Sequence, residues 1–252
     1  MDLITLSAAA AAAQTAAEAA GGGGGPTPPA IPERTDEHYA NTVLLLHGDG
    51  NPGANNVNNP APIAQYIALS DDSPNDRSVN TVGGNVYGTD FNPFYYNVSA
   101  FSNSFDGTGD YLTIPSSTDF NLTGDFTIEF WLYKVESTTS GQYDGILYRS
   151  TDWRFKFQQS DTSIYYDNGT DAQLINYTGG SLLNAWHHIA FVRKDSTLTG
   201  YVDGTSYGSV TESGTFTASA DLLIGRNGTD DLGGSISNLK IVNGTAVYTA
   251  AF

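Results

Sequence analysis

Cysteine is missing from all 252 residues, which excludes a disulfide scaffold and a Cys-ligated zinc site and leaves packing and strand pairing to supply stability. Basic residues are scarce: 10 Lys and Arg stand against 27 Asp and Glu, a formal net charge of −17. A field of that sign repels phosphate backbones and anionic lipid surfaces, which argues against nucleic acid as a partner. No apolar run approaches the ~20 residues needed to cross a bilayer as a helix, so membrane insertion is not expected. The four histidines show no His-Glu-x-x-His spacing for zinc, and neither a serine nucleophile elbow nor a phosphate-cradling Gly-x-x-x-x-Gly-Lys loop is expected. What the chain has in quantity is Gly (28), Tyr (15) and Phe (12), a usage that favours strands joined by tight turns.

Three regions follow from composition. Residues 1–20 carry Leu3, Ile4 and Leu6 and then Ala8 to Ala13, Ala16, Ala17, Ala19 and Ala20, which reads as a short helix of high intrinsic propensity. Such a helix is marginal alone in water, so it is expected either to anchor into a larger assembly or to be a disordered leader. As a secretory signal it fits poorly, because Asp2 is acidic and the first basic residue is Arg34. Residues 21–40, with Gly21 to Gly25 followed by Pro26, Pro28, Pro29 and Pro32, make a linker. Residues 41–252 form the head.

Within the head, Val43-Leu44-Leu45-Leu46 reads as a first strand, ending at His47-Gly48-Asp49-Gly50. The stretch from Asn51 to Asn103 is loop-rich, with brief strands expected at Ile63 to Leu69 and Val79 to Tyr87. A Gly/Asp turn cluster, Phe105 to Leu112, then leads to the alternating strand Phe126 to Tyr133, on which Phe126, Ile128, Phe130 and Leu132 point inward and Thr127, Glu129, Trp131 and Tyr133 outward. Regular strands follow at Gly145–Arg149, Trp153–Gln159, Ser163–Asp167, Ala172–Tyr177, Trp186–Lys194, Leu198–Val202, Ser206–Val210, Asp221–Gly225 and Ser235–Val242, with Asp203-Gly204 as a two-residue hairpin turn. The fold class is all-β: an antiparallel two-sheet jelly-roll sandwich behind a short N-terminal α-helical tail and a Gly/Pro linker.

The ordered series Leu44-Leu45-Leu46-His47-Gly48-Asp49-Gly50, Phe105-Asp106-Gly107-Thr108-Gly109-Asp110-Tyr111-Leu112, Phe126-Thr127-Ile128-Glu129-Phe130-Trp131, Trp186-His187-His188-Ile189-Ala190-Phe191-Val192-Arg193, Tyr201-Val202-Asp203-Gly204 and Leu223-Ile224-Gly225 resembles the laminin G-like branch of the concanavalin A-like lectin/glucanase superfamily. With Asp90-Phe91-Asn92-Pro93-Phe94, it looks most like versions found in virion proteins of tailed phages, especially marine ones. The resemblance implies a non-catalytic virion structural protein at the particle surface: a tail or capsid appendage or decoration that contacts host-surface glycan or a neighbouring virion protein and attaches through residues 1–20. A homo-oligomer is compatible with it. An extracellular bacterial carbohydrate-binding or adhesion module is the alternative, and a glycoside hydrolase a weaker one. Family members often continue past the position of Phe252, which implies a last edge strand or another domain beyond it.

Hydrolysis with retention needs two carboxyl groups about 5–5.5 Å apart, and the same-face neighbours of Glu129 are Thr127, Trp131 and Tyr133. Glu129 is therefore expected to be a solvent-side strand residue, and no enzyme is expected. His187 and His188 are adjacent and face opposite ways on a strand, so they cannot chelate one metal together. One of them is expected to pack behind the sheet. A glycan site needs an aromatic face and hydroxyl-binding amides or carboxylates, and Trp153, Tyr165, Tyr166, Asn168 and Asp171 are the candidates. For calcium, a possible cofactor, the candidate oxygen donors are Asn227, Asp230 and Asp231 in one loop and Asp106 and Asp110 in another. The same residues also serve as ordinary turn formers, the reading favoured here.

Overall fold

Strand β6 (Phe126–Lys134) follows its sequence pattern: Phe126, Ile128, Phe130 and Leu132 are all 1% exposed or less. It lies in the middle of a sheet in the computed structural model, which describes residues 36–47, 71–83, 86–89, 91–94, 102–135, 143–150, 152–158, 163–169, 175–177 and 179–252. The Ala-rich segment, the linker up to Thr35, the Ile63–Leu69 strand and Asp171 lie outside the described residues.

The first sheet joins β13 (Thr205–Thr211), β12 (Thr197–Val202), β11 (Trp186–Lys194), β6, β17 (Gly233–Asn243), β4 (Ser102–Asp106) and β3 (Tyr87–Thr89) in that order, and β1 (Thr42–Leu46) also pairs with β17. The second runs β10 (Ile175–Asn176), β9 (Ser163–Asp167), β8 (Trp153–Gln158), β7 (Tyr143–Arg149), β14 (Leu222–Ile224), β5 (Tyr111–Ile114) and β2 (Asn80–Val82). A small hairpin, β15 (Arg226–Asn227) and β16 (Asp230–Asp231), lies against β7. Neighbouring strands are antiparallel in both sheets. The two-sheet sandwich read from the sequence is therefore the fold. The inner faces close on one core, with Phe130, Phe191 and Ile241 from the first sheet meeting Phe155, Phe157 and Tyr166 from the second. Phe155 and Phe191 touch across it at 4.1 Å between ring centroids.

Several boundaries differ from the sequence reading. The single strand expected at Val79 to Tyr87 is two, β2 and β3, and they belong to different sheets. Tyr111-Leu112, placed in a turn cluster by their Gly/Asp neighbours, begin β5. Asp36 and Tyr39, placed in the linker by composition, contact the sandwich: Lys240 pairs with Asp36, and Tyr39 Oη donates to the Asp72 carbonyl at 2.9 Å. The Asp203-Gly204 turn is formed as expected, with φ of 49° and 74° joining β12 directly to β13. A Cβ at Gly204 would meet the Phe252 carbonyl oxygen at 1.7 Å, so this position needs glycine for space as well as for its dihedral.

Buried guanidinium groups pin the loops to the sheets. Arg149 donates to the carbonyls of Phe120, Ser117 and Ala218, and Arg193 to those of Leu122, Gly124 and Gly214. Each satisfies carbonyls that would otherwise lose water without replacement.

Candidate functional site

The outer face of the first sheet is built by register. Across β6 and β11, Tyr133 lies opposite Trp186, Trp131 opposite His188 and Glu129 opposite Ala190. On the other flank of β6, Ser235 and Ser237 of β17 stand beside Tyr133 and Trp131. Segment 91–94 comes down onto this row: Phe91 meets Tyr133 edge-on at 4.7 Å and Trp186 at 5.3 Å, and Phe94 meets Trp131 at 5.7 Å. Ser102 Oγ holds the segment by donating to the Phe91 carbonyl at 2.6 Å. The three sheet aromatics are half-buried, Phe91 is 44% exposed, and the Trp186 indole nitrogen has no hydrogen-bond partner.

Beyond His188 the same face is covered. Residues 244–252 cross it as a strap: Val247 N donates to Thr127 Oγ1 at 2.9 Å, Thr127 Oγ1 to the Thr245 carbonyl at 3.1 Å, and Phe252 N to the Gly204 carbonyl at 3.1 Å. The Tyr248 and Phe252 rings stack at 3.6 Å, and Phe252 also meets His188 and Tyr201 at 5.6 Å. Beneath the strap, Ala190, Val192 and Tyr201 form a second, small apolar cluster.

Glu129 lies under this strap, and the expectation of a solvent-side residue is corrected. It does project outward, but it is only 8% exposed, accepts from Tyr248 Oη at 2.6 Å and faces His188 Nε2 at 3.2 Å. Burial pushes its pKa up, yet the hydrogen bond and charge of His188 and the Tyr248 hydroxyl outweigh that and hold it below the usual glutamate value. His188 is the packed histidine, against Trp131 at 5.3 Å, while His187 turns to Asp203 Oδ2 at 2.8 Å.

The four described glycan candidates, Trp153, Tyr165, Tyr166 and Asn168, do not form an exposed patch. Trp153 and Tyr166 point into the core and are 1% and 0% exposed. Tyr165 is on the other side of the second sheet, at 1% exposure, bonded to Gln158. Asn168 is half-buried and donates to Glu212 Oε2 at 3.2 Å, beside Tyr166 Oη at 2.9 Å from the same oxygen. Burial and the nearby Glu212 push the Tyr166 phenol well above its ordinary range. The error is one of face: alternation puts Trp153 and Tyr166 with the inward Phe155 and Phe157.

The two calcium candidates converge at one end of the sandwich, where Gly109 N donates to Asp231 Oδ2 at 2.7 Å. Asp106 Oδ1 is a turn acceptor for Thr108 N at 2.8 Å, and Asp231 Oδ1 pairs with Arg226 at 3.3 Å. Asp110 and Asn227 are buried, and burial raises the Asp230 pKa. Among the described residues no three His, Asp or Glu groups meet as a metal site. Gly204-Thr205-Ser206-Tyr207-Gly208 spells Gly-x-Ser-x-Gly, but it opens an edge strand rather than a strand-to-helix turn, so it is no nucleophile elbow.

Residues 106–247 match the family model for the concanavalin A-like lectin/glucanases superfamily, of the laminin G type. The chain belongs to this family. Solved structures share its fold at low identity. Domain 4 of a GH43 extracellular arabinanase from Geobacillus stearothermophilus, in complex with arabinotriose, aligns at a TM-score of 0.57 and 15% identity over 82% of this chain and 95% of that one. The binding domain of botulinum neurotoxin serotype D aligns at 0.58 and 12% identity, over 83% of this chain and 49% of the toxin chain. A botulinum neurotoxin type C structure, described as dependent on two ganglioside molecules for cell entry, aligns at 0.54 and 12% identity over 81% and 48%. This laminin G-like chain thus spans about half of those toxin chains. No curated protein matches it in sequence.

Proposed function

We propose that this laminin G-like protein is a non-catalytic carbohydrate-binding head of a tailed-phage particle, displayed at the particle surface on the linker that follows an Ala-rich anchor. One observation carries the binding half of this reading: Trp131, Tyr133, Trp186 and Phe91 gather half-open on one outer sheet face. Sugar rings present C–H faces that pack on such aromatics and hydroxyls that take polar donors nearby. The non-catalytic half is supported by Glu129, which has Thr127 and Trp131 as same-face neighbours and is capped by Tyr248. A second carboxylate at the separation hydrolysis needs is not among its bonded partners. The arabinanase domain with its bound arabinotriose supplies a precedent for sugar binding on this fold. The phage setting rests on the motif series read from the sequence.

Binding of the full chain to host-cell polysaccharide, without release of reducing ends, is the expected result. Loss of that binding in Trp186→Ala, with unchanged thermal unfolding, would tie it to this face. Release of reducing ends abolished by Glu129→Gln would overturn the non-catalytic reading. Deleting residues 1–20 should leave the melting temperature unchanged and abolish incorporation into particles, and normal incorporation would move attachment to the sandwich.

A further inference from the structure

The placement of positive charge narrows the ligand, on the reading that the outer aromatic face binds saccharide. The chain has 10 Lys and Arg, and nine of them are within the described residues. Eight of those nine are spent on internal partners. Arg77 holds Asp119 and the Val43 carbonyl. Lys134 pairs with Asp144 at 2.8 Å, Lys156 with Asp167 at 2.6 Å, Arg226 with Asp231 at 3.3 Å and Lys240 with Asp36. Arg154 reaches the Ser150 and Gly169 carbonyls, and Arg149 and Arg193 hold loop carbonyls. The ninth, Lys194, ends β11 eight residues from Trp186, about 26 Å along the strand.

Among the described residues, the one other group on the aromatic face able to carry positive charge is His188, since His187 alternates to the other side of β11. Each already faces a carboxylate: His187 is 2.8 Å from Asp203, and His188 is 3.2 Å from Glu129. A sulfate, phosphate or carboxylate on a ligand would therefore lose its water with no unengaged cation on this face among the described residues to replace it, inside the field of a chain carrying −17. We infer that the Trp131/Tyr133/Trp186 face takes an uncharged saccharide and discriminates against sulfated, phosphorylated, uronate-bearing or sialylated chains. The discrimination is repulsive, so added salt should relax it.

The test uses the full chain on an array of neutral gluco-, galacto-, manno- and arabino-oligosaccharides, each paired with a sulfated or uronate-bearing form of the same length, at low and at physiological salt. The expected result is binding to at least one neutral member, lost in Trp186→Ala and in Trp131→Ala. The paired anionic form should bind at least about tenfold more weakly at low salt, with the gap narrowing as salt rises. An anionic form that binds as tightly as its neutral partner, or whose binding weakens with salt while remaining Trp186-dependent, would overturn the inference and leave a saccharide-binding face standing. Binding to neither class above the level of the two tryptophan variants would remove the saccharide reading itself. Circular dichroism melting of each variant separates loss of the face from loss of the fold.

Discussion

The outer faces of the two sheets are built from opposite materials. On the second sheet, β8 and β9 turn Arg154, Lys156 and Asp167 outward in register, and Lys156 and Asp167 are 7% and 1% exposed. On the first sheet, β6 and β11 turn out Trp131, Tyr133, Trp186 and His188, which stay half-open. Buried ion pairs are costly to form and costlier to break, so the second face is committed to holding itself together. Half-open rings cost little to leave facing solvent and gain from a partner. The contrast sets a self-satisfied outer face against the one proposed to bind saccharide.

The largest expected effect lies on the second face. Asp167→Ala removes the carboxylate that pairs with buried Lys156 at 2.6 Å and should cost about 3–5 kcal/mol in urea unfolding. If it costs no more than a ring substitution on the first face, the contrast fails. Tyr248→Phe is next: it removes the hydroxyl donated to the Glu129 carboxylate, and a bond to a charged acceptor is worth about 1.5–3 kcal/mol. Glu129→Gln sharpens the same point through pH. A carboxylate held below its ordinary value contributes stability that is whole at neutral pH and lost as pH falls through the folded-state value. The acid limb of the melting profile should therefore flatten in Glu129→Gln, and an unchanged limb would remove Glu129 from the balance. Trp186→Phe is the smallest, at about 1 kcal/mol or less as a half-exposed ring exchange. Its stability should scarcely move while saccharide binding weakens, which separates recognition from folding on the first face.

Period-2 alternation made much of this fold legible. It gave the inner row of β6, and the spacing of Gly, Asn and Asp turns gave β7, β8, β9, β11 and β17 to within about two residues. Alternation also put Trp131 and Tyr133 on the outer face of their strand. What it could not supply was the neighbour. Trp186 joins Tyr133 only through the β6–β11 register, and Phe91 arrives from a stretch whose Asn, Pro and Gly content reads as loop. Trp153 and Tyr166 misled because an aromatic residue beside a turn looks exposed until its strand partners fix which way it faces. Glu129 misled because its cover comes from residues 244–252, more than a hundred positions away in sequence, and no local pattern announces that return.

Strand β17 has a consequence for how the protein is made. It lies between β6 on one flank and both β4 and β1 on the other. Before it exists, the first sheet is three separate pieces with open edges: β13 to β6, the β4–β3 pair, and β1. Between the end of β6 at Lys134 and the start of β17 at Gly233 lie about a hundred residues, roughly 5–20 s of synthesis. Through that interval the edges of β6, β4 and β1 that face β17 have no partner strand, the condition under which edges of neighbouring chains find one another. An acidic excess along the chain makes every ribosome's product repel the next, so the scarcity of Lys and Arg also protects the protein before it folds.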